Sequence, residues 1–163
     1  MFPKIPYGES NFKKVINEGF VYIDKTDYIP KLETVGSHIF LLRPRRFGKS
    51  LFLSMLEYYY DVAHKDEFDA LFGGLYIGKN PTKLRNSYPV LFMDFSGIDT
   101  DGGHDAIFLR INEKVDTYLL SFLRRYAYPD TAQQEIVAKT SPAAKIERFF
   151  DLLEGQKILF LID

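Results

Sequence analysis

The residues best suited to chemistry in this 163-residue chain are three consecutive ones, Gly48, Lys49 and Ser50. A glycine lets the backbone approach an anion closely, a lysine can reach the β- and γ-phosphates of a nucleotide, and a serine hydroxyl can coordinate Mg²⁺. The three follow a short apolar run, residues 39–42, and precede a segment from Leu51 with apolar residues at helical spacing. Strand, tight loop and helix in this order are the layout of a phosphate-binding P-loop.

A P-loop bends a row of backbone N–H groups around a phosphate at a helix N-terminus, where the helix dipole favours an anion. The chain departs from the usual pattern G-x-x-x-x-G-K-[ST] at one position, because Arg43 stands where the first glycine is expected. Gly-Lys-Ser alone is also compatible with a basic turn that caps an ordinary helix. The pattern by itself leaves both interpretations open.

A second signature lies at the other end of the sequence, where the apolar residues 158–162 are followed by Asp163. In P-loop enzymes an aspartate after such a strand holds Mg²⁺. Apolar strands that end in aspartate are common in parallel sheets, but both signatures in this order favour Mg–ATP binding. We predict Lys49 and Asp163 as catalytic residues, and Ser50 and Asp163 as metal ligands. Asp94, which ends another apolar run, either supports the Mg²⁺ shell or caps the loop after it.

The loop and the first helical residues form the predicted phosphate cradle. Its members are Arg45, Arg46, Phe47, Gly48, Lys49, Ser50 and Leu51. Arg45 or Arg46 either stabilises charge on the γ-phosphate, as arginine fingers do, or pairs with carboxylates of the domain's own helices. Arg43, at the end of the preceding run, is expected to be structural.

The amino-acid sequence of this loop resembles that of a known protein family. Residues 43–51, Arg-Pro-Arg-Arg-Phe-Gly-Lys-Ser-Leu, are similar to the P-loop of the predicted AAA-ATPase-like family. In that family's P-loop the same sequence occurs, with arginine in place of the first glycine. Further similar stretches follow in the family's order, at 6–12, 22–26, 71–78 and 94–96. The resemblance extends over residues 5–163. It implies an ATP-binding P-loop domain and places residues 22–26 near the adenine end of the site; the alternative for this stretch is a β-hairpin or strand edge without ligand contact.

Apolar runs predict three buried strands of a parallel sheet, at residues 38–42, 90–95 and 157–162. Helices are predicted between them, at about 49–62, 66–72, 105–126, 130–139 and 142–154. Strands that alternate with helices predict an α/β fold, here a P-loop three-layer sandwich with a mostly parallel sheet. We expect residues 1–37 to form an N-terminal segment of the ATPase domain, with short helices and a strand at 20–23, and residues 38–163 to form its core.

The larger P-loop ATPases that the chain resembles have a catalytic glutamate and two more strands after the aspartate strand. We therefore expect a domain truncated after its Walker B strand, without the nuclease-like C-terminal domain of longer relatives. The expected function is Mg–ATP binding, with hydrolysis in an intact parent and little in this chain, since water positioning is lost. The alternatives are a nucleotide-dependent switch that gates an effector domain and a fragment without a ligand.

The amino-acid composition argues against several other classes of function. The net charge of −1 gives no electrostatic case for nucleic acid or an anionic membrane, which weakens the alternative of a nucleic-acid binder with an arginine-rich loop. The absence of cysteine excludes disulfides and thiolate metal sites, and we expect a cytoplasmic location. No apolar run approaches the roughly 20 residues of a membrane helix. The three histidines show no metal-ligand spacing in the sequence.

Overall fold

The computed structural model describes residues 4–163. The chain divides into two compact units, the first ending at Ser87 and the second spanning Tyr88–Asp163. The division predicted after residue 37 lies inside the first unit and stays a prediction about the organisation of the sequence.

The first unit is helical. Its elements are α1 (Phe12–Asn17), α2 (Tyr28–Val35), α3 (Lys49–Tyr60), a 3₁₀ helix (Val62–Glu67), α4 (Phe68–Phe72) and α5 (Tyr76–Lys79). Capping explains several of these bounds. The side chain of Asn11 accepts a hydrogen bond from the N–H of Lys14 at the start of α1. Gly36, with φ +130°, ends α2.

Aromatic packing fixes the position of α3 in this unit. Phe12 of α1 stacks on Phe72 of α4 with ring centroids 5.0 Å apart, and Tyr59 of α3 meets the same Phe72 edge-on at 5.6 Å. All three side chains are fully buried. The N–H of Phe12 also donates to the hydroxyl of Ser54 at 3.1 Å. Burial of each aromatic side chain stabilises the unit by about 1.5–3 kcal/mol and holds the helix that begins at Lys49.

The second unit is α/β. It contains β1 (Val90–Met93), α6 (Gly103–Arg125), α7 (Asp130–Val137), α8 (Pro142–Leu152) and β2 (Leu159–Ile162). The two strands pair in parallel, with Val90 opposite Leu159 and Met93 opposite Ile162. The strands predicted at 90–95 and 157–162 and the three helices between them are therefore confirmed. Neither α6 nor any other helix within residues 4–163 is long and apolar enough to cross a membrane.

The core of the second unit joins the sheet to its helices. Leu91 of β1 lies in one buried cluster with Leu119 and Leu123 of α6 and Phe149 of α8. The ring of Phe149 meets that of Phe122 edge-on, with centroids 5.0 Å apart. The buried residues of α6, Val115, Leu119, Phe122 and Leu123, form the apolar face that packs here. This core holds the carboxyl ends of β1 and β2 side by side.

Two predicted strands do not form. Residues 38–42 have no strand hydrogen bonds, and Phe40 and Leu42 are 91% and 90% exposed rather than buried. At residues 20–23 the structure has a single bridge, between Lys4 and Phe20. A strand needs a neighbour for its backbone N–H and C=O groups, and no strand of residues 4–163 pairs with the run at 38–42. The described chain therefore has an α/β fold with a two-stranded parallel sheet.

Candidate functional site

The loop before α3 has a strained backbone. Arg46 has φ +66° and Gly48 has φ +71°, so both residues lie in the left-handed region. Glycine adopts this region freely, whereas an L-residue such as Arg46 incurs a cost of about 1–2 kcal/mol. Strain of this kind concentrates at ligand-binding turns, and left-handed residues within a turn help successive N–H groups to face one anion. The loop therefore has two left-handed residues directly before the helix that begins at Lys49.

The N-terminus of α3 has no internal cap. Its N-cap is Gly48, which provides no side-chain hydrogen bond, and the N–H of Phe52 is the first to bond back along the helix, to the carbonyl of Gly48 at 3.0 Å. The N–H groups of Lys49, Ser50 and Leu51 precede that bond and have no acceptor within the helix. An uncapped N-terminus of this kind favours an anion.

The basic side chains of the loop fall into two groups, those that contact other residues and those that have no partner in residues 4–163. The guanidinium of Arg43 lies over the ring of Phe52 at 5.3 Å and donates to the carbonyl of Phe47 at 3.5 Å, which agrees with its predicted structural role. Arg45, Arg46 and Lys49 are exposed, and in residues 4–163 none of their side chains has an ion-pair or hydrogen-bond partner. Three unpaired cations therefore surround the uncapped helix end.

Asp163 stands at the carboxyl end of the sheet in the second unit. Its N–H donates to the carbonyl of Met93 at 2.9 Å, and its carbonyl accepts from the N–H of Phe95 at 3.2 Å. This bonding pattern sets Asp163 opposite Asp94 in the parallel ladder. Open α/β sheets bind ligands at this edge. The structure thus brings together the predicted metal ligand and the other carboxylate that the sequence singled out.

The carboxylate of Asp94 caps the loop after β1. Its Oδ1 accepts a hydrogen bond from the N–H of Ser96 at 2.7 Å, which confirms the capping interpretation. Burial raises the pKa of Asp94, but hydrogen bonds from Ser96 and the charge of Lys114 outweigh burial and lower the pKa below its ordinary value. Asp94 is therefore ionised at neutral pH.

A polar stripe of α6 holds the same loop by its backbone. The Nζ of Lys114 donates to the carbonyls of Asp94 and Ser96 at 2.9 and 2.5 Å. The hydroxyl of Tyr118 donates to the carbonyl of Asp94 at 2.6 Å. Arg110, one turn earlier, donates to two further carbonyls of the loop, both at 2.6 Å. Sequence reasoning missed this stripe, whose only signal is the spacing of four residues between donors.

Comparison with known protein families also indicates nucleotide binding. The family described as Predicted AAA-ATPase matches residues 6–163. The chain belongs to this AAA-ATPase-like family. The resemblance inferred from the loop is thereby confirmed, and membership supports nucleotide binding in the broad sense.

Individual relatives add little detail. A protein of Azotobacter chroococcum mcd 1, named "Uncharacterized protein in vnfD 5'region", is 42% identical over 96 residues, which are 58% of this chain and 17% of that protein. This chain therefore spans less than a fifth of that relative's length. No solved structure matches the chain.

The stretch 22–26 of this AAA-ATPase-like chain has a visible structural role. Asp24 Oδ2 accepts from the N–H of Tyr76 at 2.8 Å, and Thr26 Oγ1 accepts from the N–H of Ile77 at 3.1 Å. Both bonds hold the first residues of α5. Thr26 is fully buried. The adenine-side position that the resemblance implied for this stretch stays a prediction, while the side chains of Asp24 and Thr26 are engaged in holding α5.

One histidine does lie beside carboxylates, contrary to the sequence analysis. The ligand atoms of Glu57, Asp61 and His64 lie within 4.8 Å of one another where α3 passes into the 3₁₀ helix. Asp61 Oδ1 caps that helix by accepting from the N–H of Ala63 at 2.7 Å, and His64 Nδ1 lies 3.2 Å from Glu67 Oε1. These contacts explain the cluster as a hydrogen-bonded helix junction.

The predicted site residues thus occupy two places. Residues 45–51, with Lys49 and Ser50, form one continuous loop and helix start in the first unit. Asp163 lies beside Asp94 at the sheet edge of the second unit. Within each unit the local geometry suits the predicted role, phosphate binding in the first and a carboxylate at a ligand-binding edge in the second.

Proposed function

We propose that this AAA-ATPase-like domain binds Mg–ATP, with the phosphates at the N-terminus of α3. The observation that carries the proposal is the uncapped helix end after Gly48, preceded by the left-handed Arg46. A left-handed arginine persists only where surrounding structure or function requires it. Family membership supports nucleotide use independently of this geometry.

The residues of the loop then have distinct roles. Backbone N–H groups of residues 45–51 cradle the phosphates, and Lys49 contacts the β- and γ-phosphates. Ser50 has the hydroxyl and Asp163 the carboxylate that Mg²⁺ would take as ligands, as the family resemblance implies, and the ion would neutralise phosphate charge. Lys49 and Asp163 are the residues through which this chain would contribute to catalysis.

Arg45 and Arg46 are proposed as charge stabilisers at the γ-phosphate. The alternative, that they pair with carboxylates of the chain's own helices, has no support in residues 4–163, where neither has such a partner. A guanidinium is permanently charged and matches phosphate geometry with two parallel N–H donors. Arg43 is excluded from this role because its guanidinium is engaged with Phe52 and Phe47.

The P-loop three-layer sandwich is a proposal of the same kind. The apolar run 39–42 directly precedes the loop, and Phe40 and Leu42 are almost fully exposed. We propose that residues 39–42 form a strand when another strand lies beside them to pair with their backbone groups.

Isothermal titration calorimetry with Mg–ATP tests the proposal on the wild type and on Lys49→Ala. The matched control is Lys65→Ala, which removes an exposed lysine of the same unit outside the loop. We expect Lys49→Ala to weaken binding at least about tenfold, because charge-assisted hydrogen bonds contribute about 1.5–3 kcal/mol each, and Lys65→Ala to leave it unchanged. Equal affinities for all three proteins would show that the loop is not the phosphate site.

A further inference from the structure

The hydrogen bonds of Lys114 and Tyr118 converge on a single backbone group. Both side chains donate to the carbonyl of Asp94, and Lys114 also reaches the carbonyl of Ser96. They lie four residues apart and so share one face of α6. The half-buried carbonyl at the very end of β1 therefore has two strong donors from one helix, one of them charged.

This carbonyl belongs to the residue that faces Asp163. The backbone of Asp163 is bonded to Met93 and Phe95, the two neighbours of Asp94. Any displacement of Asp94 relative to α6 thus moves the two bonds that orient Asp163. The contacts form one continuous path, from the side chains of Lys114 and Tyr118 through the end of β1 to Asp163.

We propose that Lys114 and Tyr118 are positioning residues for Asp163, which they act on through the backbone of Asp94. The inference rests on the proposed function, in which Asp163 is a ligand of Mg²⁺. Groups that orient a metal ligand without touching the metal change metal affinity by about 10–100-fold when removed. Lys114 also offsets the charge of the neighbouring Asp94 carboxylate.

The competing explanation is that Lys114 and Tyr118 only stabilise the loop after β1. Arg110 is the residue to compare them with, because it also donates to carbonyls of this loop. Arg110 holds the carbonyls of Asp99 and Asp101, which lie in the same loop but away from the sheet edge. A residue that only fastens the loop should behave like Arg110. A positioning residue should in addition affect the amides around Asp163 and the dependence on Mg²⁺.

The test uses Tyr118→Phe, which removes one hydrogen bond without changing charge and retains the ring that lies against Phe95. The matched control is Tyr128→Phe, because Tyr128 also donates a 2.6 Å hydroxyl hydrogen bond in this unit, to Gln156. Amide hydrogen exchange of the free protein comes first. We expect Tyr118→Phe, and not Tyr128→Phe, to accelerate exchange at Phe95 and Asp163 about tenfold.

The second readout is the Mg²⁺ concentration that half-maximally tightens ATP binding, compared with ATP affinity in EDTA. We expect Tyr118→Phe to raise that concentration about tenfold and to leave the affinity in EDTA unchanged. Arg110→Ala, like Tyr128→Phe, should change neither quantity. Lys114→Arg, which keeps both the charge and the donors, should retain most of the wild-type response.

The outcomes separate this inference from the proposed function. Unchanged exchange at Phe95 and Asp163 in Tyr118→Phe overturns positioning, whatever ATP does. Faster exchange with an unchanged Mg²⁺ dependence, in a protein whose Asp163→Asn variant does lose that dependence, also overturns it and leaves a fastening role. If Asp163→Asn itself has no effect on Mg²⁺ dependence, the metal assignment of the proposed function fails, and the inference that rests on it fails with it.

Discussion

The buried ion pair between α6 and α8 gives a prediction about stability that is independent of any ligand. The side chain of Lys145 is 3% exposed, and its Nζ lies 2.6 Å from Oδ2 of Asp116, whose side chain is 28% exposed. The other oxygen of Asp116, Oδ1, is buried and has no hydrogen-bond partner within residues 4–163. Lys145→Met keeps an unbranched apolar stem in the same space but leaves Asp116 without its cation.

The expected cost follows from the burial of the carboxylate that remains. Removal of one partner from a buried pair destabilises a protein by about 3–5 kcal/mol, because the remaining charge is uncompensated. Since water reaches part of the Asp116 side chain, we expect a cost below this range, about 2–3 kcal/mol. The double variant Lys145→Met/Asp116→Leu removes both charges and should lie within about 1 kcal/mol of the wild type.

Urea unfolding followed by far-UV circular dichroism measures these values by linear extrapolation. Lys139→Met, which replaces an exposed lysine at the end of α7, is the control and should change the unfolding free energy by less than about 0.5 kcal/mol. The reasoning is refuted if Lys145→Met costs no more than Lys139→Met. Additive effects of the two changes in the double variant would refute it as well, because a coupled pair must show an interaction energy.

Three further predictions concern single residues. Ser141→Ala removes the hydroxyl that accepts from the N–H of Ala144 and should lower the unfolding free energy by about 1 kcal/mol in the same urea assay; a change below 0.3 kcal/mol would contradict the cap. Arg46→Gly relieves a left-handed residue and should be neutral within about 1 kcal/mol, while calorimetry shows weaker Mg–ATP binding; a large loss of stability would contradict the strain argument. Burial raises the pKa of Asp24, but hydrogen bonds from Thr26 and Tyr76 outweigh burial and lower it below the ordinary 3.8. Its ionised form therefore stabilises the fold above that value, and the stability difference between wild type and Asp24→Asn should shrink as pH falls below about 4, whereas a difference that grows would reverse the sign.

Helices were predictable because their determinants are local. Asn11 and Ser141 cap α1 and α8 through neighbouring N–H groups, and apolar spacing marks the buried faces. Strands depend on partners that the local pattern does not specify. Residues 90–93 and 159–162 pair because one core supports both, whereas the equally apolar run 39–42 has no neighbouring strand in the described chain.

The candidate site divides in the same way. The loop from Arg45 to Leu51 could be proposed from the sequence because phosphate binding requires particular residue types at consecutive positions. The left-handed backbone of Arg46 was not, since arginine carries no signal for positive φ. Lys114 and Tyr118 donate hydrogen bonds to a backbone carbonyl. Because every residue has a carbonyl, no particular residue type in the sequence indicates such a contact.

The most direct test of the central claim is the amide NMR spectrum of the chain on addition of Mg–ATP, with adenosine as the control that lacks phosphates. Phosphates at the N-terminus of α3 should shift the amide signals of Gly48, Lys49, Ser50 and Leu51 most, and adenosine should leave them unchanged. Mg–ATP that binds without shifting these four signals, or that shifts them no more than adenosine does, would contradict the account.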